Sequence, residues 1–407
     1  MPKLALLGGE RAIPEEMPEP GRVSFAEAFA RHMGVEYALL GSCGTSALIC
    51  ALAGAGVGCG DEVIVPSFTW IASAGAILRV NAIPIFADID PRTFCLDPED
   101  VKKKITDQTK AILPVDIYGH PASIPELMKI AEEHNLMVVE DAAQATGAQI
   151  NGKYVGSLSH VTEFSFSGKP LASTSGGVMT TNDREIYERA MLFGTHPATL
   201  HGAITIPKFR KYTTFGLTGD RHTMDSRAQD YAYEQLQTLD ARNNARIANA
   251  NYLTEELSEL DGITPPYVKP GYKHVYHYYT CLYDEEKFGV PRDKFVEALR
   301  AEGLNVGPYV DGAYHMGGKD VHAGPLHHRA IYQELNVYGH GCPFTCPYHK
   351  GGPPKYEIGS LPATEEIIKK EFSLSQPDIS APNSRGQMKQ YVEVIRKVID
   401  NIDELRD

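Results

Sequence analysis

The sequence lacks a long apolar run and an excess of positive charge. No apolar stretch reaches the roughly 18 residues of a membrane span, and the N-terminal run is too short for a signal peptide. We therefore expect a soluble, cytoplasmic protein. With 39 Lys and Arg against 52 Asp and Glu, the formal net charge of −13 argues against nucleic acid or an anionic membrane as a partner.

The sequence also lacks a disulfide framework and a dinucleotide fingerprint. Its 7 cysteines are dispersed, which favours reduced thiols. Cys342, Cys346 and His349 have a spacing that invites a zinc interpretation, but no fourth ligand stands nearby, so we expect no metal. No Gly-x-Gly-x-x-Gly motif occurs, which disfavours a dinucleotide-binding fold.

The order of apolar segments predicts an α/β protein. With 407 residues and 43% hydrophobic content, the chain is long enough for a large and a smaller domain. Apolar segments alternating with helical patterns indicate a mostly parallel sheet covered on both faces. The strands are predicted at 37–40, 61–66, 82–88, 110–116, 136–140, 162–167 and 177–181.

The remaining segments complete the predicted organisation. Residues 194–222 are expected to form a long polar loop, which is usually functional. Residues 224–260 are expected to form one long helix linking a large domain, 1–245, to a smaller C-terminal α/β domain, 246–407.

Two residues in the middle of the chain are suited to pyridoxal phosphate (PLP). Asp141 ends an apolar strand, where a carboxylate can pair with a pyridinium nitrogen. Lys169 lies in a loop rich in Ser and Gly, where its amine can hold the PLP aldehyde as a Schiff base. Each residue alone has an ordinary alternative, a strand-end cap for Asp141 and a solvated charge for Lys169.

The motifs around these residues resemble those of the DegT/DnrJ/StrS family of PLP-dependent sugar aminotransferases. The matching motifs are Glu-Asp-Ala-Ala-Gln-Ala-Thr-Gly at 140–147, Phe-Ser-Phe at 164–166 and Lys169 followed by Gly176-Gly177. The likeness is strongest to members that aminate keto-inositols of the scyllo-inosose type. It implies the fold type I of PLP-dependent transferases and a homodimer with shared active sites.

The resemblance assigns a role to each matching residue. Lys169 becomes the catalytic residue, and a partner subunit contributes the residue at position 221. The implied cofactor-binding set is Gly44, Thr45, Trp70, Asp141, Gln144, Ser165 and Arg221. Gly44 and Thr45 also open a predicted helix, a common position for a phosphate, although a plain capped helix start is the commoner case. Trp70 is the only tryptophan, and its ring is expected to stack on the cofactor.

The chain departs from the family pattern in three places. Only Ser167 and Gly168 separate Phe-Ser-Phe from Lys169, one residue fewer than usual. Thr174-Ser175 replaces the usual Gly-Glu before Gly176-Gly177. Arg221 stands where the family has Asn; a guanidinium can bind phosphate in a bidentate way, but a surface Arg paired with Asp220 is equally compatible with the sequence.

The substrate side is expected at residues 307–315 and 325–328. Their candidate hydroxyl-binding residues are Tyr309, His315, His327 and His328. Because these segments hold no cluster of Lys and Arg for a diphosphate, we expect an amino acid donor, glutamine or glutamate, and a keto-cyclitol or unactivated keto sugar as acceptor. The alternatives are a PLP-dependent sugar dehydratase or other elimination enzyme, and a PLP-binding sensor without turnover.

Overall fold

The computed structural model describes residues 23–309 and 324–406. The strands are β1 Tyr37–Gly41, β2 Glu62–Pro66, β3 Ile83–Ala87, β4 Thr109–Ile112, β5 Met137–Asp141, β6 Gln149–Ile150, β7 Lys153–Tyr154, β8 Val161–Ser165, β9 Gly177–Thr181, β10 Ile263–Thr264, β11 Tyr272–Lys273, β12 Tyr278–Tyr283, β13 Val306–Gly307 and β14 Glu371–Ser375.

The helices of the described residues are α1 Phe25–Met33, α2 Gly44–Gly54, α3 Ile71–Arg79, α4 Pro98–Lys104, α5 Ile124–His134, α6 Arg184–Gly194, α7 Pro197–Leu200, α8 Ser226–Gln237, α9 Leu239–Leu257, α10 Glu285–Phe288, α11 Arg292–Ala301, α12 Ala330–Gln333, α13 Pro362–Lys370, α14 Gln376–Ile379 and α15 Arg385–Asp400. Short 3₁₀ turns are Ile117–Gly119, Pro207–Tyr212, Leu326–His328 and Ile402–Leu405. Within the parts of the chain given above, no helix is long and apolar enough to cross a membrane.

The large sheet confirms the predicted α/β architecture. Its strand order is β1-β9-β8-β5-β4-β2-β3, and the five strands from β8 to β3 are parallel. Strand β9 runs antiparallel to both of its neighbours. Strands β2, β8 and β9 are buried along their whole length, as expected for a sheet covered by helices on both faces.

A second sheet organises the C-terminal part of the chain. Its strands, in the order β10-β12-β14-β13, pair antiparallel throughout. Side chains of α9, α11 and α15 close a separate apolar core against it. The division at residue 245 stays a prediction. Residues 326–361 follow that division, yet Tyr332 and Tyr356 pack against Phe86 of the large sheet, with ring centroids 4.9 and 5.3 Å away.

The predicted helix over 224–260 is wrong in one respect, because it is broken at Thr238. The backbone of Thr238 has a φ of −114° and a ψ of 4°, so α8 ends before this residue and α9 begins after it. Arg242 stabilises the break by donating to the carbonyl oxygen of Gln235 at 2.8 Å and to that of Pro170 at 3.0 Å. A tertiary contact to the Lys169 loop therefore overrides the helical pattern.

The predicted polar loop at 194–222 is partly structured. It contains α7 and a 3₁₀ turn, and its apolar side chains Leu200, Ile204 and Phe209 form a small core with α6. The segment therefore has its own packing, and only its last part, around Arg221, is an exposed loop.

Candidate functional site

The candidate site lies at the carboxyl ends of the parallel strands, where ligands bind in open α/β sheets. Asp141 is the last residue of β5, and Ser165 is the last residue of β8. Trp70 follows β2 as the residue that precedes α3. Since these strands are neighbours or near neighbours in the sheet, the fold brings together three residues that are far apart in sequence.

Asp141 is a buried carboxylate with fixed orientation. Its Oδ2 accepts a hydrogen bond from the Ser73 hydroxyl at 2.7 Å, and its Oδ1 accepts one from the Ala143 amide at 3.2 Å. Burial raises the pKa of Asp141, while these hydrogen bonds and the charge of Lys169 oppose the rise. A cationic group placed beside Asp141 would therefore gain strongly from the ionised carboxylate.

Glu163 lies buried beside Asp141 on β8. Burial, followed by repulsion from Asp141, raises the pKa of Glu163 well above its usual range. Glu163 is therefore held protonated, which leaves the negative charge on Asp141. Its Oε1 is buried without a hydrogen-bond partner among the described residues.

The N-terminus of α2 packs directly against this part of β8. A Cβ atom on Gly44 would lie 2.6 Å from the Ser165 Cβ and 2.7 Å from Glu163 Oε1, so only glycine allows this approach. The first amides of α2, including those of Gly44 and Thr45, have no partner within the helix. They would present the positive end of the helix dipole to an anion bound at this position.

Lys169 lies half-buried in a closed loop between β8 and β9. The loop is held by backbone hydrogen bonds from Phe166 to Gly176 at 3.0 Å and from Ser173 to Phe166 at 2.7 Å. Burial lowers the pKa of Lys169 to about 8, although the charges of Asp141 and Glu163 act in the opposite direction. A substantial fraction of this amine is therefore neutral near physiological pH.

His277 is a site residue that the sequence did not reveal. Its Nε2 lies 3.2 Å from Lys169 Nζ, and its backbone amide donates to the Tyr118 carbonyl oxygen at 2.6 Å. Burial, followed by the charge of Lys169, lowers the pKa of His277 well below its usual value. A neutral imidazole can accept a hydrogen bond from the lysine. The sequence offered no signal, because His277 stands in a run of aromatic residues that reads as a strand.

Trp70 and Tyr309 lie on the open side of the site. The Trp70 side chain is 51% exposed, and its ring centroid lies 6.3 Å from that of Tyr309. Tyr309 is buried, and its hydroxyl accepts a hydrogen bond from Gln144 Nε2 at 3.0 Å. Gln144 Oε1 accepts the amide of Tyr118 at 2.7 Å. An exposed indole at a strand end leaves one face of the ring available for a planar ligand.

Arg221 is not drawn into the site within one chain. Its side chain is exposed, and its Nε donates to the Thr223 hydroxyl at 3.3 Å. The predicted alternative partner, Asp220, lies 4.0 Å from His222 Nε2.

The histidines of the predicted substrate side differ from one another. His327 is buried; its Nδ1 lies 2.7 Å from the Ser67 hydroxyl and its Nε2 lies 3.0 Å from Glu365 Oε1. His328 is half-buried and lines a cavity of about 470 Å³ together with Arg292, Glu365 and Lys369. Both ring nitrogens of His327 therefore have partners within the chain, whereas His328 Nε2, 3.6 Å from Glu365 Oε1, has no hydrogen-bond partner among the described residues. His315 lies outside the described residues.

One group in the described parts of the chain has the geometry to hold a metal ion. The nearest ligand atoms of His327, His328 and Glu365 lie within 4.8 Å of one another. The same carboxylate oxygen of Glu365 also accepts the amide of Gly359 at 2.7 Å. That carboxylate therefore already serves as a structural acceptor.

The side chains at the strand ends fit pyridoxal phosphate. A half-buried amine of lowered pKa suits an aldehyde, a buried carboxylate suits a pyridinium nitrogen, and a glycine-lined helix start suits a phosphate. An exposed indole adds a surface for the flat ring. These observations come from this chain's own residues.

Comparisons with known proteins agree with this chemistry. A family model described as the DegT/DnrJ/EryC1/StrS aminotransferase family matches residues 18–319. The chain is 37% identical over 289 residues to an L-glutamine:2-deoxy-scyllo-inosose aminotransferase of Streptoalloteichus tenebrarius, covering 70% of this chain and 68% of that protein. It is also 37% identical over 288 residues to the GDP-perosamine synthase of Caulobacter vibrioides, covering 70% of this chain and 75% of that protein.

A solved structure extends the similarity to the whole fold. The crystal structure of DesV from S. venezuelae has a TM-score of 0.74 and 30% sequence identity, covering 92% of this chain and 88% of that one. The chain thus belongs to the DegT/DnrJ/EryC1/StrS aminotransferase family, and it is a PLP-dependent aminotransferase with the α/β fold of these enzymes.

Proposed function

We propose that this aminotransferase transfers an amino group from glutamine or glutamate to a keto-cyclitol or an unactivated keto sugar by a ping-pong reaction. The observation that carries the proposal is the Lys169 amine of lowered pKa, which interacts electrostatically with the Asp141 carboxylate at the carboxyl ends of the parallel strands. The acceptor class is proposed from the lack of a Lys and Arg cluster in the sequence of residues 307–315 and 325–328 and from the keto-inositol aminotransferase among the relatives.

PLP supplies a ring that withdraws electrons from the carbon bearing the transferred amine. We assign the pyridinium nitrogen to Asp141, which Ser73 holds in place, and the ring face to Trp70. The phosphate is assigned to the first amides of α2, at Gly44 and Thr45, and to the Ser165 hydroxyl. Gln144 holds Tyr118 and Tyr309 in position at the margin of the site.

Lys169 is the residue that moves protons in both half-reactions. An amine with a pKa near 8 exists in both protonation states near neutral pH, which is the condition for efficient proton transfer in either direction. The neutral imidazole of His277 accepts a hydrogen bond from the Lys169 amine and orients it.

Two of the described cations, Arg292 and Lys350, are held elsewhere, whereas Lys369 lines the cavity at His328. Arg292 donates to the Glu371 carbonyl oxygen at 2.7 Å and to Asp293 at 2.6 Å. The backbone of Lys350 bonds to Gln108, at the end of the sheet opposite to Asp141. A diphosphate requires several converging cations, so this environment favours a neutral polyol ketone. Lys319 lies outside the described residues.

We further propose a homodimer in which Arg221 binds the PLP phosphate of the neighbouring subunit. Arg221 is exposed on a loop and stands at the position where the resemblance implies an asparagine that reaches across. A charged, bidentate donor would compensate for the shortened Lys169 loop by strengthening phosphate binding.

The reverse reaction tests the acceptor class. The PLP-loaded enzyme is offered an aminocyclitol and a nucleotide-linked amino sugar, each with 2-oxoglutarate, and glutamate formation is measured. We expect turnover of the aminocyclitol, and turnover of only the nucleotide-linked sugar would prove the acceptor proposal wrong. The Lys169→Ala variant provides the background rate.

The donor is tested in the first half-reaction alone. Glutamine and glutamate are mixed separately with the PLP enzyme, and the loss of the cofactor's absorbance is followed without acceptor. We expect one or both to convert the cofactor. Conversion by neither, with activity from another amino acid, would contradict the donor assignment while leaving aminotransfer intact.

A further inference from the structure

Two cysteines that are distant in sequence meet at the amino end of β2, at the end of the sheet opposite to Asp141. The Sγ atoms of Cys59 and Cys346 lie 3.2 Å apart, although the residues are separated by 287 positions. Cys59 is exposed in the turn before β2, and Cys346 is half-buried in the segment 338–350. Neither residue takes part in the aminotransferase chemistry described above.

The surrounding contacts hold the two sulfurs together without help from the thiols. Gly60 has a φ of +88°, and a Cβ there would lie 2.9 Å from the Tyr348 Cβ, so the two backbones approach closely. At the residue after Tyr348, His349 Nε2 lies 2.7 Å from Glu62 Oε1, and both side chains are buried. The proximity of Cys59 and Cys346 is therefore supported by packing and hydrogen bonding between the residues that follow each cysteine.

These contacts also resolve the Cys342, Cys346 and His349 motif. His349 is committed to Glu62, and Cys346 faces Cys59. Among the described residues, the group whose ligand atoms converge closely enough for a metal ion is His327, His328 and Glu365, and it includes none of these cysteines. The motif therefore places Cys346 for sulfur chemistry with Cys59.

We propose that Cys59 and Cys346 form a reversible intramolecular disulfide, with a low-molecular-weight disulfide of the glutathione class as the oxidant. One protein thiolate attacks the small disulfide, forming a mixed disulfide and releasing one small thiol. The second protein thiol then loses its proton and attacks the mixed disulfide, releasing the second small thiol. Two protein thiols are oxidised, and one small disulfide is reduced to two thiols.

The exposure of the two thiols makes them accessible to a small oxidant, because Cys59 is exposed and Cys346 is only half-buried. The hydrogen bond to Cys346, followed by burial, raises the pKa of the Cys59 thiol to about 11. Cys50, Cys95 and Cys281 are buried, so a small oxidant reaches Cys59 and Cys346 more readily.

The disulfide would tie the segment 326–350, which includes His327 and His328, to the large sheet. The beginning of this segment contacts the loop of Trp70, because the Leu326 amide donates to the Ser67 carbonyl oxygen at 3.1 Å. A covalent link at Cys346 limits the freedom of this segment in the unfolded chain. We therefore expect the oxidised holoenzyme to unfold at a temperature at least about 2 °C higher than the reduced one.

The test uses the full-length holoenzyme, reduced and then incubated with oxidised glutathione. Free thiols are counted under denaturing conditions, and tryptic peptides are analysed without reduction. We expect a loss of two thiols per chain and a link between the peptides 32–79 and 330–350. Because the first peptide also contains Cys43 and Cys50, and the second also contains Cys342, variants are needed to assign the link.

Cys342→Ser is the matched control, since Cys342 is exposed and lies four residues from Cys346. The link and the thermal shift should persist in this variant and disappear in both Cys346→Ser and Cys59→Ser. A link that survives in Cys346→Ser but is lost in Cys342→Ser would overturn the assignment. Stable glutathione adducts without a link, a disulfide between chains, or stoichiometric zinc on these thiols would overturn the proposal.

Discussion

The proposed cofactor side and the proposed acceptor side of the site are built in different ways. The cofactor side consists of residues at strand ends, such as Asp141, Ser165 and Trp70, supported by the parallel sheet. The acceptor side consists of irregular segments, and its residue His327 is locked between Ser67 and Glu365. Strand ends present side chains to a ligand, whereas many polar groups of irregular segments form hydrogen bonds within the protein.

This difference between strand ends and irregular segments explains why a function is harder to assign from sequence to a residue in an irregular segment. A histidine in a glycine-rich loop looks suited to binding hydroxyls, but its two nitrogens can be committed to neighbours that are far away in sequence. The adjacent residue His328 faces a cavity, so a change of one position separates a structural residue from a candidate ligand-binding one.

The largest effect is expected from Lys169→Ala, on the cofactor side. Loss of both the covalent attachment and the proton transfer should lower kcat by at least about 10³-fold. Borohydride reduction of the wild-type holoenzyme should place the cofactor on the peptide that contains Lys169. The measurement is turnover with a keto-cyclitol acceptor, together with peptide mapping.

Lys211→Ala is the matched control for this variant. Lys211 Nζ lies 4.9 Å from the ring centroid of Tyr212, in the segment before Arg221. Its substitution should leave activity and cofactor content unchanged. Cofactor found on Lys211, or on no lysine, would sink the assignment of Lys169.

A smaller effect is expected from Arg221→Ala, which tests whether the cofactor side extends to the neighbouring subunit. Loss of one charged hydrogen-bonding contact costs about 1.5–3 kcal/mol, or about 10- to 150-fold in PLP affinity. The measurement is the dissociation constant of PLP together with the oligomeric state. Arg210→Ala, an exposed residue in the same region, should change neither. Unchanged PLP affinity in an intact Arg221→Ala dimer would make Arg221 an ordinary surface residue.

Much of the fold was predictable from sequence because apolar strands and amphipathic helices alternate regularly. The mostly parallel sheet and the α/β class are confirmed. The break at Thr238 was not predictable, because it depends on Arg242 reaching the carbonyl of Pro170, 72 residues earlier in the chain. The packing of 326–361 on the large sheet was missed for the same reason, since aromatic contacts to Phe86 leave no periodic pattern.

The residues of the proposed cofactor site could be picked out from motifs, at a strand end for Asp141 and in the loop after β8 for Lys169, and their roles stay a prediction. His277 was missed because its role depends on the Tyr118 carbonyl holding its backbone and on the loop of Lys169 folding toward it. The environment of Glu163 was also hidden, since its proximity to Asp141 arises from the pairing of β5 with β8.

A few-fold effect is expected on the acceptor side from two adjacent histidines. His327→Ala should lower the free energy of unfolding by about 1–3 kcal/mol, because it leaves Ser67 and Glu365 without their buried partner. His328→Ala should leave stability nearly unchanged and raise the acceptor KM by about 2- to 10-fold, the value of one neutral hydrogen bond. Thermal unfolding and steady-state kinetics separate the two. Equal effects on stability would contradict the distinction between these residues.

The smallest effect, and the finest test of the cofactor side, is a shift in the pH dependence of PLP attachment to the cofactor-free enzyme. Attachment requires the neutral amine of Lys169, so its rate should rise with pH and level off above the Lys169 pKa of about 8. Asp141→Asn removes a negative charge that favours the protonated amine, which lowers the pKa and moves the midpoint to lower pH.

His277→Ala should move the same midpoint in the opposite direction. Burial is the main cause of the lowered pKa of Lys169, and removal of the imidazole that contacts Nζ admits water to the amine. Better hydration favours the charged form, so the pKa rises toward that of an ordinary lysine. Stopped-flow absorbance between about pH 6 and about pH 10 measures all three midpoints, with Lys211→Ala as a control that should match wild type. Shifts of the same sign in Asp141→Asn and His277→Ala would contradict the view that the charge of Asp141 raises the pKa of Lys169 while burial lowers it. Removing two influences that oppose each other must move the pKa in opposite directions.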